Sequence, residues 1–156
     1  MIKIVVLSDT HGYRKGLDEI SDVLAENDMI IHLGDTSGDG SYLASRYKNT
    51  VVINGNCDAF PAGNDEQIIQ AEGVKIFACH GHRYSVKTTL ARLAEKASGE
   101  GCAVALYGHT HTAREDVIDG VTLLNPGCGT RYGARSYLYL VVNGDKFTYK
   151  TVRLNS

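Results

Sequence analysis

Short apolar runs recur along this chain, and five of them end in a polar segment carrying histidine, aspartate or asparagine. Asp9-Thr10-His11 follows the run at 2–7, Gly34-Asp35 follows 29–33, and Gly55-Asn56-Cys57-Asp58 follows 51–53. His80-Gly81-His82 follows 74–79, and Gly108-His109-Thr110-His111 follows 103–107. Runs of this kind suit strands covered from two sides. In open α/β sheets the carboxyl ends of strands line the ligand crevice, so the polar segments are expected to converge. That expectation constrains the fold more than any other feature of the chain.

Another strand-like run lies at 121–124. Between the strands, Leu17, Ile20, Val23 and Leu24 share one helical face, which predicts a helix over 17–26. Leu90, Ala91, Leu93 and Ala94 predict another over 88–97, and 42–47 reads as a short third. Residues 67–70 lead through Ala71-Glu72-Gly73 into the next strand, and 137–142 turns at Asn143-Gly144 into 147–152. Both read as hairpins. Alternating strands and helices with late antiparallel pairs predict an α/β chain with mixed sheets that can split into two, packed face to face between helices.

The chain has 156 residues, enough for one domain that buries about two-thirds of its unfolded surface. One domain is therefore expected over residues 1–156. Hydrophobic residues at 43% and charged residues at 22% fit a folded globule and are too apolar for a disordered chain. A net charge of -2 argues against an extended nucleic-acid surface or an anionic-membrane footprint. Residues 2–7 are too short to span a bilayer and lack the features of a secretory signal, so a cytoplasmic location is expected. Cys57, Cys79, Cys102 and Cys128 contain no Cys-x-x-Cys pair and read as reduced, mostly buried thiols.

Imidazole is the commonest metal ligand, and carboxylate and amide oxygens suit harder divalent ions. Asp9, His11, Asp35, Asn56, His80, His109 and His111 make seven candidate ligands. That is too many for one four-coordinate ion and suits two ions sharing a bridging carboxylate. Asp35 is the expected bridge, with Gly34 before it allowing close backbone approach. If the segments are extended, residues two apart point the same way, pairing Asp9 with His11 and His109 with His111. Two divalent ions held by two carboxylates keep a positive charge even with a hydroxide bound, so the pocket attracts anions. Two ions about 4 Å apart can activate a hydroxide and stabilise both oxygens of an in-line displacement at phosphorus. Phosphoester hydrolysis is the predicted reaction.

The ordered set Asp-x-His, Gly-Asp, Gly-Asn-x-Asp, His and Gly-His-x-His, from Asp9 to His111, resembles the calcineurin-like metallophosphoesterases. The short chain and its Gly-Asn-Cys-Asp segment look like the small, capless YfcE-type phosphodiesterase branch. The resemblance implies a four-layer αββα sandwich of two mixed sheets flanked by helices. It also implies one ion held by Asp9, His11, Asp35 and His111 and a second by Asp35, Asn56, His80 and His109. Manganese is the first expectation, with Fe, Zn, Ni, Co and Mg as alternatives. Binding should weaken as protons compete for the imidazoles at low pH.

Many relatives carry a histidine after the ligating asparagine, to protonate the leaving group, where this chain has Cys57. A thiol with a reference pKa of about 8.5 is a poor substitute. Preference for aryl phosphodiesters or other good leaving groups is expected, unless Asp58 or His82 assists. The usual proline after the last segment is Ala113 here, a loop detail. Catalytic candidates are thus Asp35, Asn56, Asp58 and His82.

His32 lies within an apolar run and reads as a core histidine. Asp58 reads as a residue orienting a neighbouring ligand, and His82 as a contact to substrate or to a ligand. Asp39 reads as part of a loop or helix cap. Among Arg14, Arg83, Arg114, Arg131 and Arg135, the two that follow ligand segments, Arg14 and Arg114, are the preferred phosphate contacts. Asn125-Pro126-Gly127-Cys128-Gly129 reads as a turn that can bring backbone to the site.

The expected partner is a small phosphodiester, with a homodimer through the late strands as the first guess for assembly. Two alternatives stand beside the phosphodiesterase: a catalytically weak scaffold of the same fold, which would have lost ligands, and a phosphomonoesterase. A metallo-β-lactamase type of site is excluded because no His-x-His-x-Asp-His segment occurs.

Overall fold

Strand β1 (Ile2–Leu7) sits in the middle of the first sheet because its side chains are apolar on both faces. It pairs in parallel with β2 (Met29–His32), which pairs in parallel with β3 (Thr50–Val52). On its other side it runs antiparallel to β9 (Ser136–Asn143), which forms a hairpin with β10 (Lys146–Arg153). The second sheet has the order β4-β5-β6-β8-β7, from β4 (Glu66–Ala71), β5 (Val74–Cys79), β6 (Val104–Leu106), β7 (Arg114–Ile118) and β8 (Val121–Asn125). Both sheets are mixed, as expected. This computed structural model describes residues 1–58, 63–131 and 133–154.

Strand alternation assigns each side chain to a layer. Ile4 and Val6 of β1 meet Ile76 and Ala78 of β5 and Val104 and Leu106 of β6 in one buried cluster between the sheets. Val5 and Leu7 point the other way, against Leu17, Ile20, Leu24 and Leu43. Those residues come from α1 (Arg14–Glu19), α2 (Ser21–Glu26) and α3 (Ser37–Arg46), with Ile20 at the junction of α1 and α2. Phe77 and Cys79 likewise face Leu93, Ala94 and Ala97 of α4 (Ala91–Gly99). The result is the four-layer αββα sandwich.

Several boundaries differ from the sequence reading for local reasons. The helix expected over 17–26 is two short helices broken at Ile20, whose N–H reaches back three residues to the Leu17 carbonyl. The break still buries Leu17, Ile20 and Leu24. Helix α3 starts five residues before the expected 42–47, through Gly38 and Gly40. A Cβ on Gly40 would lie 2.6 Å from Val52 Cγ1, so the glycine that argues against a helix is what lets this one pack on β3. Helix α4 begins at Ala91 rather than at 88, where the Thr89 hydroxyl accepts the Ala91 N–H. Strand β7 was not expected at all. Its residues are mostly exposed and charged, and it turns into β8 through Asp119 (φ 52) and Gly120 (φ 77), an Asp-Gly hairpin signal present in the sequence.

Candidate metal centre

The three parallel strands of the first sheet end at one rim, delivering Asp9, Asp35 and the 55–58 turn. Strands β5 and β6 end at the same rim and deliver His80 and the His109–His111 loop. Inter-sheet hydrogen bonds join the two halves: Nδ1–H of His80 donates to the Leu33 carbonyl (2.8 Å), and the His109 N–H donates to Asp9 Oδ2 (2.9 Å).

The ligand loops are not extended. Asp9, His11, Asp35, His109 and His111 all have left-handed backbone, with φ from 46° to 70°. A non-glycine residue rarely adopts this region, and a cluster of such residues marks a functional site. Residues two apart therefore do not share a face by strand geometry, and the predicted pairing of His109 with His111 fails. His111 turns to His11, with their Nε2 atoms 3.4 Å apart. His109 turns to His80, with ring centroids 5.0 Å apart. His82 also leaves the extended path, because Gly81 (φ 112) opens a 3-10 turn at His82–Tyr84, yet its ring stays 5.5 Å from that of His80.

Two carboxylates lie buried side by side. Asp9 is 0% exposed; its Oδ2 accepts the Ser8 hydroxyl (2.5 Å) and the His109 N–H, while Oδ1 has no hydrogen-bond donor. That free oxygen faces Nε2 of His111 at 3.1 Å, of His11 at 3.8 Å and of His80 at 3.9 Å. Asp35 spends Oδ1 on the Cys57 N–H (2.9 Å) and aims Oδ2 at Nε2 of His80 (3.4 Å) and of His11 (4.0 Å). The Leu33 carbonyl can only accept, so it fixes the proton of His80 on Nδ1 and turns the Nε2 lone pair, which has no hydrogen-bond partner, toward both carboxylates.

Burial pushes the Asp35 carboxyl up, but the facing His80 imidazole and the Cys57 N–H outweigh it and hold the group well below the usual carboxylate range. Burial likewise lowers His80, and the Asp35 and Asp9 carboxylates outweigh it to raise the imidazole. Asp9 Oδ1 and His80 Nε2, both buried without a hydrogen-bond partner and 3.9 Å apart beside Asp35 Oδ2, call for a cation. Donors held about 2.0–2.2 Å from one ion lie within roughly 4 Å of one another, and these groups gather their donor atoms within 4.8 Å. The residues fit divalent metal. Asp9, His11 and His111 form one donor group and Asp9, Asp35 and His80 a second, so Asp9 belongs to both.

The remaining sequence candidates divide into near and far. Asn56 lies on the exposed 55–58 turn beside Cys57. Asp58 accepts the Gly55 N–H (2.6 Å) and the Asp35 N–H (3.2 Å), so it holds ligand backbone. Arg14 places Nε 3.3 Å from Asp39, and Arg114 makes a two-pronged bond to Asp116 at 2.7 and 3.1 Å. Both guanidinium groups are thus engaged with carboxylates. His32 is a core residue as expected, with burial holding its pKa below the usual imidazole value.

Other residues support the ligand loops. Nδ1 of His32 accepts the Gly34 N–H (3.2 Å), which leaves its proton on Nε2 to donate to Thr10 (2.9 Å). The Thr10 hydroxyl then donates to the buried Asp39 (2.5 Å), which also accepts the Gly12 N–H (2.8 Å). The network clamps the Asp9-to-Gly12 loop to α3, and no sequence signal distinguishes Asp39 from an ordinary cap. Asn125 donates to the Gly108 carbonyl (3.2 Å) and the Thr110 hydroxyl (3.0 Å), and the Gly129 N–H reaches the Ser8 carbonyl (3.0 Å). The turn at 125–129 therefore ties both ligand loops together. A Cβ on Gly108 would fall 2.0 Å from Ser8 Oγ and 2.7 Å from Asp9 Oδ2, so only glycine admits the contact between the sheets.

A sandwich with metal donors pooled from two sheet rims defines a class, the metal-dependent αββα phosphoesterases. The chain belongs to the calcineurin-like phosphoesterase superfamily, whose domain model matches residues 2–146. It is 31% identical over 153 residues to the probable metallophosphoesterase YsnB of Bacillus subtilis, covering 96% of this chain and 89% of that protein. It is 30% identical over 153 residues to the phosphodiesterase MJ0936 of Methanocaldococcus jannaschii, covering 82% and 86%. Among solved structures, Vps29 of Chaetomium thermophilum superposes with a TM-score of 0.85 at 17% identity, covering 99% of this chain and 90% of that one. At that identity the likeness concerns the fold. No helix among the described residues is long and apolar enough to cross a membrane.

Proposed function

We propose that this chain is a binuclear metal-dependent phosphodiesterase acting on small substrates. The observation that carries the reading is the free, buried Oδ1 of Asp9, aimed at three imidazoles beside Oδ2 of Asp35. Asp9, His11 and His111, with Asp35, would hold one ion, and Asp35, His80, His109 and Asn56 the other. Asp35 remains the proposed bridge because Oδ2 lies within 4.0 Å of both His11 and His80. Asp9 is its competitor, since Oδ1 belongs to both donor groups. Manganese is the first choice of metal. Divalent ions bound there supply Lewis-acid chemistry, lowering the pKa of water and stabilising charge on phosphoryl oxygens.

The chain's own groups set the rest. Asp58 fixes the backbone on which Asp35 and Asn56 sit, and the Leu33 carbonyl keeps the His80 proton away from the metal-facing nitrogen. Burial and the Asp35 carboxylate push the Cys57 thiol up, so Sγ keeps its proton at neutral pH and is a weak acid toward a leaving group. The aryl preference follows, with His82, at the edge of the imidazole cluster, as the competing donor. The phosphodiesterase relative supports diesters over monoesters. Substrate contact by Arg114 requires only an exposed, solvent-screened ion pair to open. Arg14 is tied to a buried carboxylate and is the weaker candidate.

A single domain, a cytoplasmic setting consistent with four free cysteines, and a dimer through the edge strands β7 or β10 complete the reading. Sedimentation equilibrium tests the dimer. The deciding experiment is metal analysis coupled to hydrolysis of an aryl phosphodiester, for the parent and for Asp35→Asn. The variant is expected to keep its fold, lose at least one ion and lose most turnover. Unchanged turnover removes Asp35 from the bridge, and a parent with bound metal but no activity on diesters or monoesters turns the reading into a scaffold.

A further inference from the structure

A pocket of about 230 Å³ opens beside the ligand His11, lined by His11, Gly12, Tyr13, Thr130 and Arg131. It is smaller than the roughly 300–1,000 Å³ of a site for a whole drug-sized ligand, so it suits one substituent of a larger substrate. Of the five arginines that sequence offers for phosphate contact, Arg14, Arg83, Arg114 and Arg135 each lie within 4.0 Å of a carboxylate: Asp39, Asp65, Asp116 and Glu19. Arg131 has no such partner among the described residues, and it is the one that lines this pocket.

The surroundings favour an anion. No carboxylate lines the pocket, and the tyrosine and threonine bring hydroxyl groups to it. The Tyr13 ring already carries two guanidinium groups, Arg131 at 5.6 Å and Arg135 at 5.2 Å from its centroid. Cation–π contact holds Arg131 over the ring and leaves N–H donors, rather than a free aromatic face, as the chemistry on offer. Guanidinium matches phosphate oxygens in a planar fork.

We propose that this pocket binds a second phosphate of the substrate, so that the preferred substrates are phosphodiesters bearing an additional terminal phosphomonoester, with Arg131 as the specificity-determining residue. The proposal rests on the phosphodiesterase reading for turnover but not for binding. The test compares thymidine 5′-(4-nitrophenyl phosphate) with its 3′-phosphorylated form on the manganese-loaded protein, in the parent and in Arg131→Ala. The parent should favour the 3′-phosphorylated substrate roughly tenfold or more in kcat/KM, through KM, and Arg131→Ala should erase most of that ratio. Calorimetry with thymidine 3′,5′-bisphosphate and thymidine 5′-phosphate, with and without chelator, gives a second readout. A bisphosphate preference in the parent that disappears in the variant supports the pocket even if neither ester is hydrolysed, an outcome that would defeat the phosphodiesterase reading alone. No preference in the parent, or an equal loss by the variant on both ligands, overturns the proposal.

Discussion

The two ends of this sandwich use the same unusual backbone for opposite purposes. At the end away from the site, Glu72 (φ 48) and Asp119 (φ 52) adopt left-handed conformations in hairpin turns, each followed by glycine. There both side chains are exposed, and that of Glu72 is satisfied, accepting the amino terminus at 2.7 Å and the Gly144 N–H at 2.6 Å. At the metal rim, Asp9 and Asp35 adopt the same conformation but are buried; Asp9 keeps Oδ1 free of any hydrogen-bond donor, and Asp35 turns Oδ2 to the same His80 nitrogen. One end uses the conformation to close a turn, whereas the other uses it to aim an unsatisfied charge. The difference teaches that stability and function are drawn from different rims of one pair of sheets.

The comparison breaks most sharply at Asp9. Asp9→Asn keeps the shape and leaves an oxygen for the Ser8 and His109 donors while removing the charge common to both donor groups. Diester turnover should fall by more than the roughly 10–100-fold that loss of an outer hydrogen-bond partner costs a metal site. The metal-free variant should be at least as stable as the parent, because one of two adjacent buried carboxylates has been neutralised. Metal content and thermal unfolding in chelator check the two halves, and a less stable metal-free variant would count against a site built at the expense of stability.

A pair of glycine substitutions sharpens the contrast. Gly108→Ala puts a methyl into the Ser8–Asp9 contact and should cost about 1–3 kcal/mol together with bound metal. Gly120→Ala, at the far turn, meets open space but a φ of 77°, and should cost about 1 kcal/mol with no loss of metal. Urea unfolding and metal analysis measure both. Equal effects on metal would erase the distinction between the ends.

The smallest effect concerns pH. Burial holds the His32 imidazole below its ordinary value, so the unfolded chain binds a proton that the folded chain refuses. Its contribution is full above the unfolded value of about 6.5 and is lost as pH falls from there toward the folded value. The slope for one such proton is at most about 1.4 kcal/mol per pH unit. Urea midpoints of the metal-free protein between pH 7 and 5 should fall, and His32→Asn should flatten that part of the decline. The same slope in the variant would assign it to other groups.

Much of this rim was legible beforehand. Apolar runs ending in Asp9, Asp35, Asn56, His80 and His109 mark strand ends, and each lies where a strand meets the rim. Asp119-Gly120 could have revealed β7, but the charged residues before it hide the alternation on which strand recognition depends. The start of α3 was illegible because Gly40 opposes helix formation locally and is required only by the proximity of Val52. The clamp of His32, Thr10 and Asp39 was equally hidden, since three residues so far apart in sequence meet only after β2, α3 and the Asp9 loop have packed.

Sequence alone determined the inventory of donors and the strand ends that carry them, because side-chain chemistry and hydrophobic periodicity are local properties. Tertiary structure decided which donors face each other. His109 and His111 stand two positions apart, yet left-handed backbone sends one toward His80 and the other toward His11. The carboxylates arrive from one sheet and His80, His109 and His111 from the other, so the site's geometry is a property of how closely the two sheets pack, which no single segment encodes.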